Sequence, residues 1–181
     1  MEVNNYSAIQ KIAEAVEYTG KWVLLRFIKR RTETGDKNRT IKKQFIKYTK
    51  LNIKEIISYC EENQCRCYLT FMDNVVESAW KALGSPLDKI NAWKDEELFN
   101  LQGLHLIDVD DLSLEEAHVK WLEENQISQI FILPSKSGHS IIFYGDSHLI
   151  LDWQETGWEE INSFHMMASI NLYIPDFKPL D

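Results

Sequence analysis

The most constraining feature of this sequence is a strand, a helix and a second strand in direct succession. Gly103–Asp110 is an apolar run that ends in acids, Ser113–Asn125 has helical spacing with Ser113 at its N-cap, and Gln129–Leu133 is again apolar. Such a unit predicts two parallel strands joined by a right-handed crossover. The chain therefore has to build a sheet that carries helices.

Helical and strand-like segments also alternate along the rest of the 181 residues. The predicted helices are Asn5–Tyr18, Ile53–Asn63, Asn74–Leu83, a weaker one from Ser85 to Asn100, and Thr156–Phe164. The predicted strands are Trp22–Lys29, Thr40–Tyr48, Cys65–Met72, Gly138–Tyr144, Ser147–Trp153 and Ile170–Ile174. Since no linker or repeat divides the chain, we expect one α+β domain over residues 1–181, with a mixed β-sheet and flanking helices.

Charge is distributed unevenly along the chain. Residues 21–54 contain twelve Lys and Arg and two acids, which leaves 8 basic and 26 acidic residues elsewhere. A basic hairpin over residues 21–50 predicts a polyanion partner, with nucleic-acid contacts at Lys29, Arg30, Arg31, Lys42, Lys43 and Lys47. One alternative is a solvated hairpin, and another is that the acidic remainder imitates nucleic acid and engages a protein.

Two carboxylates follow the apolar segment Leu104–Ile107. Because side chains alternate in a strand, Asp108 and Asp110 lie on one face about 7 Å apart, with Val109 on the other. Carboxylates are ligands for hard cations such as Mg²⁺, and a metal pair can clamp both oxygens of a phosphoryl transfer. The alternative is that Asp110 and Asp111 only open the turn into the following helix.

A Gly145-Asp146 pair between two apolar runs is typical of a two-residue hairpin turn. In the register that this turn sets, His139 lies opposite Asp152, with Cβ atoms about 5.5 Å apart. The turn therefore predicts an imidazole and a carboxylate at the open end of the hairpin. A surface pair with no catalytic use is the alternative.

A small-residue loop leads into His139. Lys136, Ser137 and the backbone amides around Gly138 are groups that can cradle a phosphate, and an imidazole stabilises charge on a phosphoryl oxygen. We therefore predict a nucleotide-binding set of Lys136, Ser137, Gly138 and His139.

Three short motifs in this order resemble the archaeo-eukaryotic primase superfamily, whose signatures are a hydrophobic–D-x-D strand, an S-x-H strand and a hydrophobic–D strand. The matching segments are Leu106-Ile107-Asp108-Val109-Asp110, then Ser137-Gly138-His139, then Ile150-Leu151-Asp152, with Asp176 as an alternative third acid. The resemblance covers residues 103–176. Leu133–Ile142 and Asn171–Pro175 also resemble segments of small phage and Bacteroidetes proteins with a primase-like core.

The resemblance implies an RRM-like core and metal-dependent nucleotidyl transfer on nucleic acid, as in DNA replication. Asp108, Asp110 and Asp152 are then the ligands of two Mg²⁺ or Mn²⁺ ions, and Ser137 and His139 hold the phosphates of a nucleoside triphosphate. The expected catalytic set is Asp108, Asp110, His139 and Asp152, in an active or degenerate enzyme. Three alternatives remain: a non-catalytic nucleic-acid-binding module, a metal-dependent nuclease, and a small phage-encoded interaction or inhibitor protein.

The cellular compartment is predicted from what the sequence lacks. Three cysteines do not make a disulfide framework, and the first thirty residues carry acids instead of a signal-peptide core. No apolar run approaches the roughly 20 residues that cross a bilayer. We expect a cytoplasmic protein without a membrane partner.

Overall fold

The fold is taken from a computed structural model. It describes residues 2–18, 22–29, 40–72, 101, 103–109, 111–127, 129–135, 138–145, 161–162 and 169–176. Nine strands are described: β1 Val3–Asn4, β2 Trp22–Lys29, β3 Thr40–Lys47, β4 Cys65–Phe71, β5 Leu104–Val109, β6 Ile130–Pro134, β7 His139–Tyr144, β8 Ile161–Asn162 and β9 Ile170–Ile174. The described α-helices are α1 Tyr6–Ala15, α2 Ile53–Asn63 and α3 Glu115–Glu124.

The first sheet has five strands in the order β1-β9-β4-β2-β3. Side chains alternate between the two faces of β2, so Val23, Leu25 and Phe27 point to one face and pack against α1 and α2. Helix α2 begins where the sequence predicts, because the Asn52 side chain accepts a hydrogen bond from the backbone N–H of Glu55 at 3.3 Å. The basic β2–β3 hairpin lies at one edge of this sheet.

The second sheet has four strands in the order β6-β7-β5-β8. β5 and β6 run in the same direction but are not neighbours, because β7 lies between them and pairs with both. This is a split β-α-β arrangement, as in ferredoxin-like folds. The predicted α+β class is confirmed, but the described strand pairs are all antiparallel and form two sheets instead of one mixed sheet.

The second sheet is covered on both faces. Leu104, Leu106 and Ile142 belong to the core that includes α1, α2 and the first sheet. Ile107 and Ile141 belong to a second core under α3. Successive residues of β5 therefore contribute to two different cores.

Three details of the predicted elements change. α3 begins at Glu115 after a 3₁₀ turn over Leu112–Leu114, and the side chain that caps this turn is Asp111 instead of Ser113. Residues 161–162 form β8 where a helix was predicted. The predicted elements between residues 74 and 100 and over residues 147–153 lie outside the described residues.

In the described part of the chain, the helices are too short and too polar to span a bilayer.

Candidate functional site

The register of β5 against β7 decides which of the predicted catalytic side chains share a face. Asp108 lies opposite Ser140, and Val109 lies opposite His139. Because opposed residues share a face and successive residues alternate, Asp108 and His139 point to opposite faces of the sheet. The register therefore does not bring Asp108 and His139, two members of the expected catalytic set, together on one face of the sheet.

Burial agrees with this register. Val109, next to His139 on the same face, is fully buried in the core under α3. Ser140, next to Asp108, is 4% exposed on the opposite face, whereas Asp108 itself is exposed. The body of the sheet thus separates the carboxylate from the imidazole.

The predicted pairing of His139 with Asp152 is also wrong. β7 pairs with β5 along one edge and with β6 along the other, so that His139 lies between Val109 and Pro134. β5 thus occupies one edge of β7 over its whole length, and β6 occupies the other from His139 to Phe143. Asp152 itself lies outside the described residues, as do Asp110, Lys136 and Ser137.

His139 has a different acidic partner. Its Nδ1 atom lies 2.5 Å from Oε2 of Glu115, the first residue of α3, and the two side chains are 35% and 23% exposed. No local pattern in the sequence points to Glu115 as this partner, because only the packing of α3 over β7 brings residues 24 positions apart together. The geometry is that of a half-exposed histidine oriented by a carboxylate.

The predicted phosphate loop is the connection of the β6–β7 hairpin. The N–H of Ser135 donates to the carbonyl oxygen of Gly138 at 3.0 Å, and Pro134 pairs with His139. The Gly138 carbonyl is therefore used to close the hairpin, with the amide of Ser135, which is outside the predicted cradle. A role for Lys136, Ser137, Gly138 and His139 in nucleotide binding stays a prediction.

The described residues include no group of three or more potential metal ligands. Asp111 is used for capping: it accepts hydrogen bonds from the hydroxyl and the N–H of Ser113 at 2.6 and 3.0 Å, and these bonds lower the pKa of its carboxyl. Asp176 follows β9, in the other sheet. That Asp108, Asp110 and Asp152 bind Mg²⁺ or Mn²⁺ stays a prediction.

The predicted nucleic-acid contacts divide between the two faces of the five-stranded sheet. Lys42 lies opposite Phe27 on the helix-covered face, where its Nζ is 4.7 Å from the centroid of the Tyr59 ring. Lys29 lies on this face too, opposite Cys65 of β4. Arg30 and Arg31 lie outside the described residues. The period of two in a strand is a signal that already predicts this division of neighbouring lysines.

Lys43 and Lys47 point to the other face, together with two arginines. Lys43 lies opposite Arg26, which in turn lies opposite Tyr68 of β4. Arg66, two residues before Tyr68, has its guanidinium carbon 5.8 Å from the Tyr68 ring centroid. We call this set, with Lys47 and Trp22, the outward basic face: Trp22, Arg26, Lys43, Lys47, Arg66 and Tyr68.

The outward basic face is half-buried, and a buried strip crosses it. Leu24, Phe45 and Thr70 are at most 1% exposed and separate the Trp22–Lys47 pair from the Arg26–Lys43 pair. The Lys47 Nζ lies 5.8 Å from the Trp22 ring centroid. In proteins that bind single-stranded nucleic acid, cations contact the phosphates and aromatic rings stack on the bases.

Comparison of this chain with protein-family models, with curated proteins and with solved structures gives no match. The resemblance to the primase superfamily therefore rests on the three short motifs alone. What the chain does has to be argued from its own surfaces.

Proposed function

We propose that this protein binds nucleic acid through the outward basic face. The observation that carries the proposal is the cross-strand row of Lys43, Arg26 and Tyr68, continued by Arg66. Two cations and an aromatic ring on adjacent strands of one sheet face supply both of the groups that single-stranded nucleic acid uses, one for its phosphates and one for its bases. A polyanion with bases is the ligand that uses both the cations and the ring.

The state of Arg66 supports this proposal. Its Nε atom is buried and has no hydrogen-bond acceptor among the described residues. Because solvent does not reach the Nε atom, a phosphate would contact the terminal amino groups of the guanidinium, and the buried Nε end would hold them beside the Tyr68 ring. Tyr68, beside it, supplies a ring face on which a base can stack.

The test compares two double variants that each remove two positive charges. Lys43→Gln/Lys47→Gln removes them from the outward basic face, and Lys42→Gln/Lys54→Gln removes them from the helix-covered side, where Lys54 is exposed on α2. Binding of a fluorescein-labelled 20-nucleotide single strand is measured by anisotropy, with the melting temperature as a check on folding. We expect at least tenfold weaker binding for the first variant and less than a threefold change for the second. Equal losses in the two variants would refute the proposal.

A tyrosine variant separates stacking from charge. Tyr68→Ala is expected to weaken single-strand binding by about 1–3 kcal/mol, the usual cost of losing one stacked base, and to leave duplex binding nearly unchanged. A loss of the same size with duplex DNA would contradict stacking at Tyr68.

Metal-dependent nucleotidyl transfer is the second candidate function. Its support is the primase-like motifs and the exposure of Asp108 at the end of β5, and because of the register of β5 and β7 it would have to proceed without His139 beside that carboxylate. Calorimetric titration of Mn²⁺ and a nucleoside triphosphate into the wild type and Asp108→Asn tests it. Weaker metal binding in the variant supports this function, and equal binding removes it.

A further inference from the structure

One edge of the four-stranded sheet has backbone groups at Ile132 without a partner among the described residues, while the Pro134 carbonyl at the end of this edge accepts a hydrogen bond from Asn5. Among the described strands, β6 pairs only with β7. Ser135 and Gly138 form the hydrogen-bonded pair that closes the hairpin, so Ile132 occupies a position whose N–H and C=O point away from β7. No described residue hydrogen-bonds to these groups, and the Ile132 side chain is 43% exposed. Such an edge is a template for an added strand.

A groove of about 610 Å³ lies between this edge and helix α3. Three aliphatic side chains, three carboxylates and one lysine line it: Leu112, Val119, Ile132, Glu115, Glu116, Glu123 and Lys120. Leu112 is 50% exposed, so two of the four large hydrophobic residues most exposed in the described part of the chain line this groove. The groove is thus both apolar and acidic.

Two carboxylates of the groove are available to a ligand, and their separation matches that of side chains along an extended strand. Glu115 is already bonded to His139, whereas Glu116 and Glu123 are exposed and seven residues apart on α3. Seven residues of helix rise about 10 Å, and residues two to four apart in a strand are separated by about 7–14 Å. Val119 lies between the two acids on the same helix face.

We propose that β6 and this groove bind an extended peptide segment of another protein, in which every second side chain points toward α3 and these side chains alternate between an aliphatic residue and a lysine or arginine. The backbone of the segment pairs with Ile132 and extends the sheet. Its aliphatic side chains cover Val119 and Ile132, and its cations lie against Glu116 and Glu123. The surface differs from the outward basic face, so the inference does not depend on the proposed nucleic-acid binding.

Charge excludes a second copy of this chain as the occupant. Antiparallel pairing of two β6 edges about a twofold axis would bring both α3 helices to the same side of the joined sheet. Glu116 and Glu123 of one copy would then face the same residues of the other, and like charges in close contact cost several kcal/mol. A basic segment removes this repulsion.

The test uses three capped, fluorescein-labelled nonapeptides in anisotropy titrations. The first has Val, Lys, Val, Lys and Val at its odd positions and Thr at its even positions, so that Lys and Val share one face of the strand. The second has Glu in place of Lys, and the third is the Lys–Val peptide with alternate backbone nitrogens methylated on the pairing edge. We expect micromolar binding of the first and at least tenfold weaker binding of the others. Equal binding of the Glu–Val peptide overturns the role of charge, and equal binding of the methylated peptide overturns strand addition.

Matched variants locate the site. Glu116→Gln/Glu123→Gln is expected to weaken the Lys–Val peptide at least fivefold. Glu55→Gln/Glu62→Gln, which removes two exposed acids at the same spacing on α2, should change it less than twofold. Equal effects would mean that the peptide responds only to net charge, and the proposal would fail. It would also fail if the wild type self-associated and Ile132→Lys abolished that association.

Discussion

Glu115 and His139 should stabilise the fold jointly, whereas Asp108 and His139 should act independently. The first pair is in contact at 2.5 Å, and the second points to opposite faces of the sheet. Because the contacting side chains are 35% and 23% exposed, their coupling energy should be about 0.5–1 kcal/mol, the upper part of the range for exposed pairs. The coupling between Asp108 and His139 should fall below about 0.3 kcal/mol, the limit for residues without contact.

Two double-mutant cycles in urea measure these couplings. The single variants are Glu115→Ala, His139→Ala and Asp108→Ala, and the free energy of unfolding is determined at pH 7 in low salt. A coupling above about 0.5 kcal/mol between Asp108 and His139 would refute the register, since it would require the two side chains to share a face.

Two further perturbations test the packing of the fold. Asn5→Ala should lower the free energy of unfolding, measured by urea titration, by about 2–3 kcal/mol. The reason is that the buried Asn5 amide donates to the carbonyls of Pro134 and Asn171, at 2.9 and 3.0 Å, and so connects the two sheets. A loss below about 0.5 kcal/mol would contradict this connection. Burial lowers the pKa of His105 from its ordinary value near 6.5, so the unfolded chain takes up the proton first and stability should fall as the pH drops below that value. The loss of stability is measured as the difference between the urea midpoints at pH 7.5 and pH 5.5. This difference should become smaller in His105→Phe, and an unchanged difference would mean that another group causes it.

Local signals predict most of the described elements. The alternation over Trp22–Lys29 and the capping pair Asn52 and Glu55 place β2 and α2 at their observed bounds. These signals suffice because a strand face and a helix start depend on residues within a few positions of each other. The α+β class follows from the same segments.

Strand order and register are not encoded so locally. The Gly145-Asp146 turn signal predicts that β7 pairs with the segment after it, but β5 and β6 occupy both of its edges. A shift of one residue between β5 and β7 would place Asp108 on the face of His139, and no local feature distinguishes the two registers. The predicted site is therefore wrong in the relative position of Asp108 and His139, which depends on strand pairing between residues about thirty positions apart.

The most direct test of the account is the salt dependence of nucleic-acid binding in the two lysine double variants. Each phosphate contact on a single strand contributes about 0.7 to the slope of log Kobs against log salt. The account predicts a slope smaller by about 1.4 in Lys43→Gln/Lys47→Gln and an unchanged slope in Lys42→Gln/Lys54→Gln. An unchanged slope in the first variant, or equal reductions in both, would contradict binding through the outward basic face.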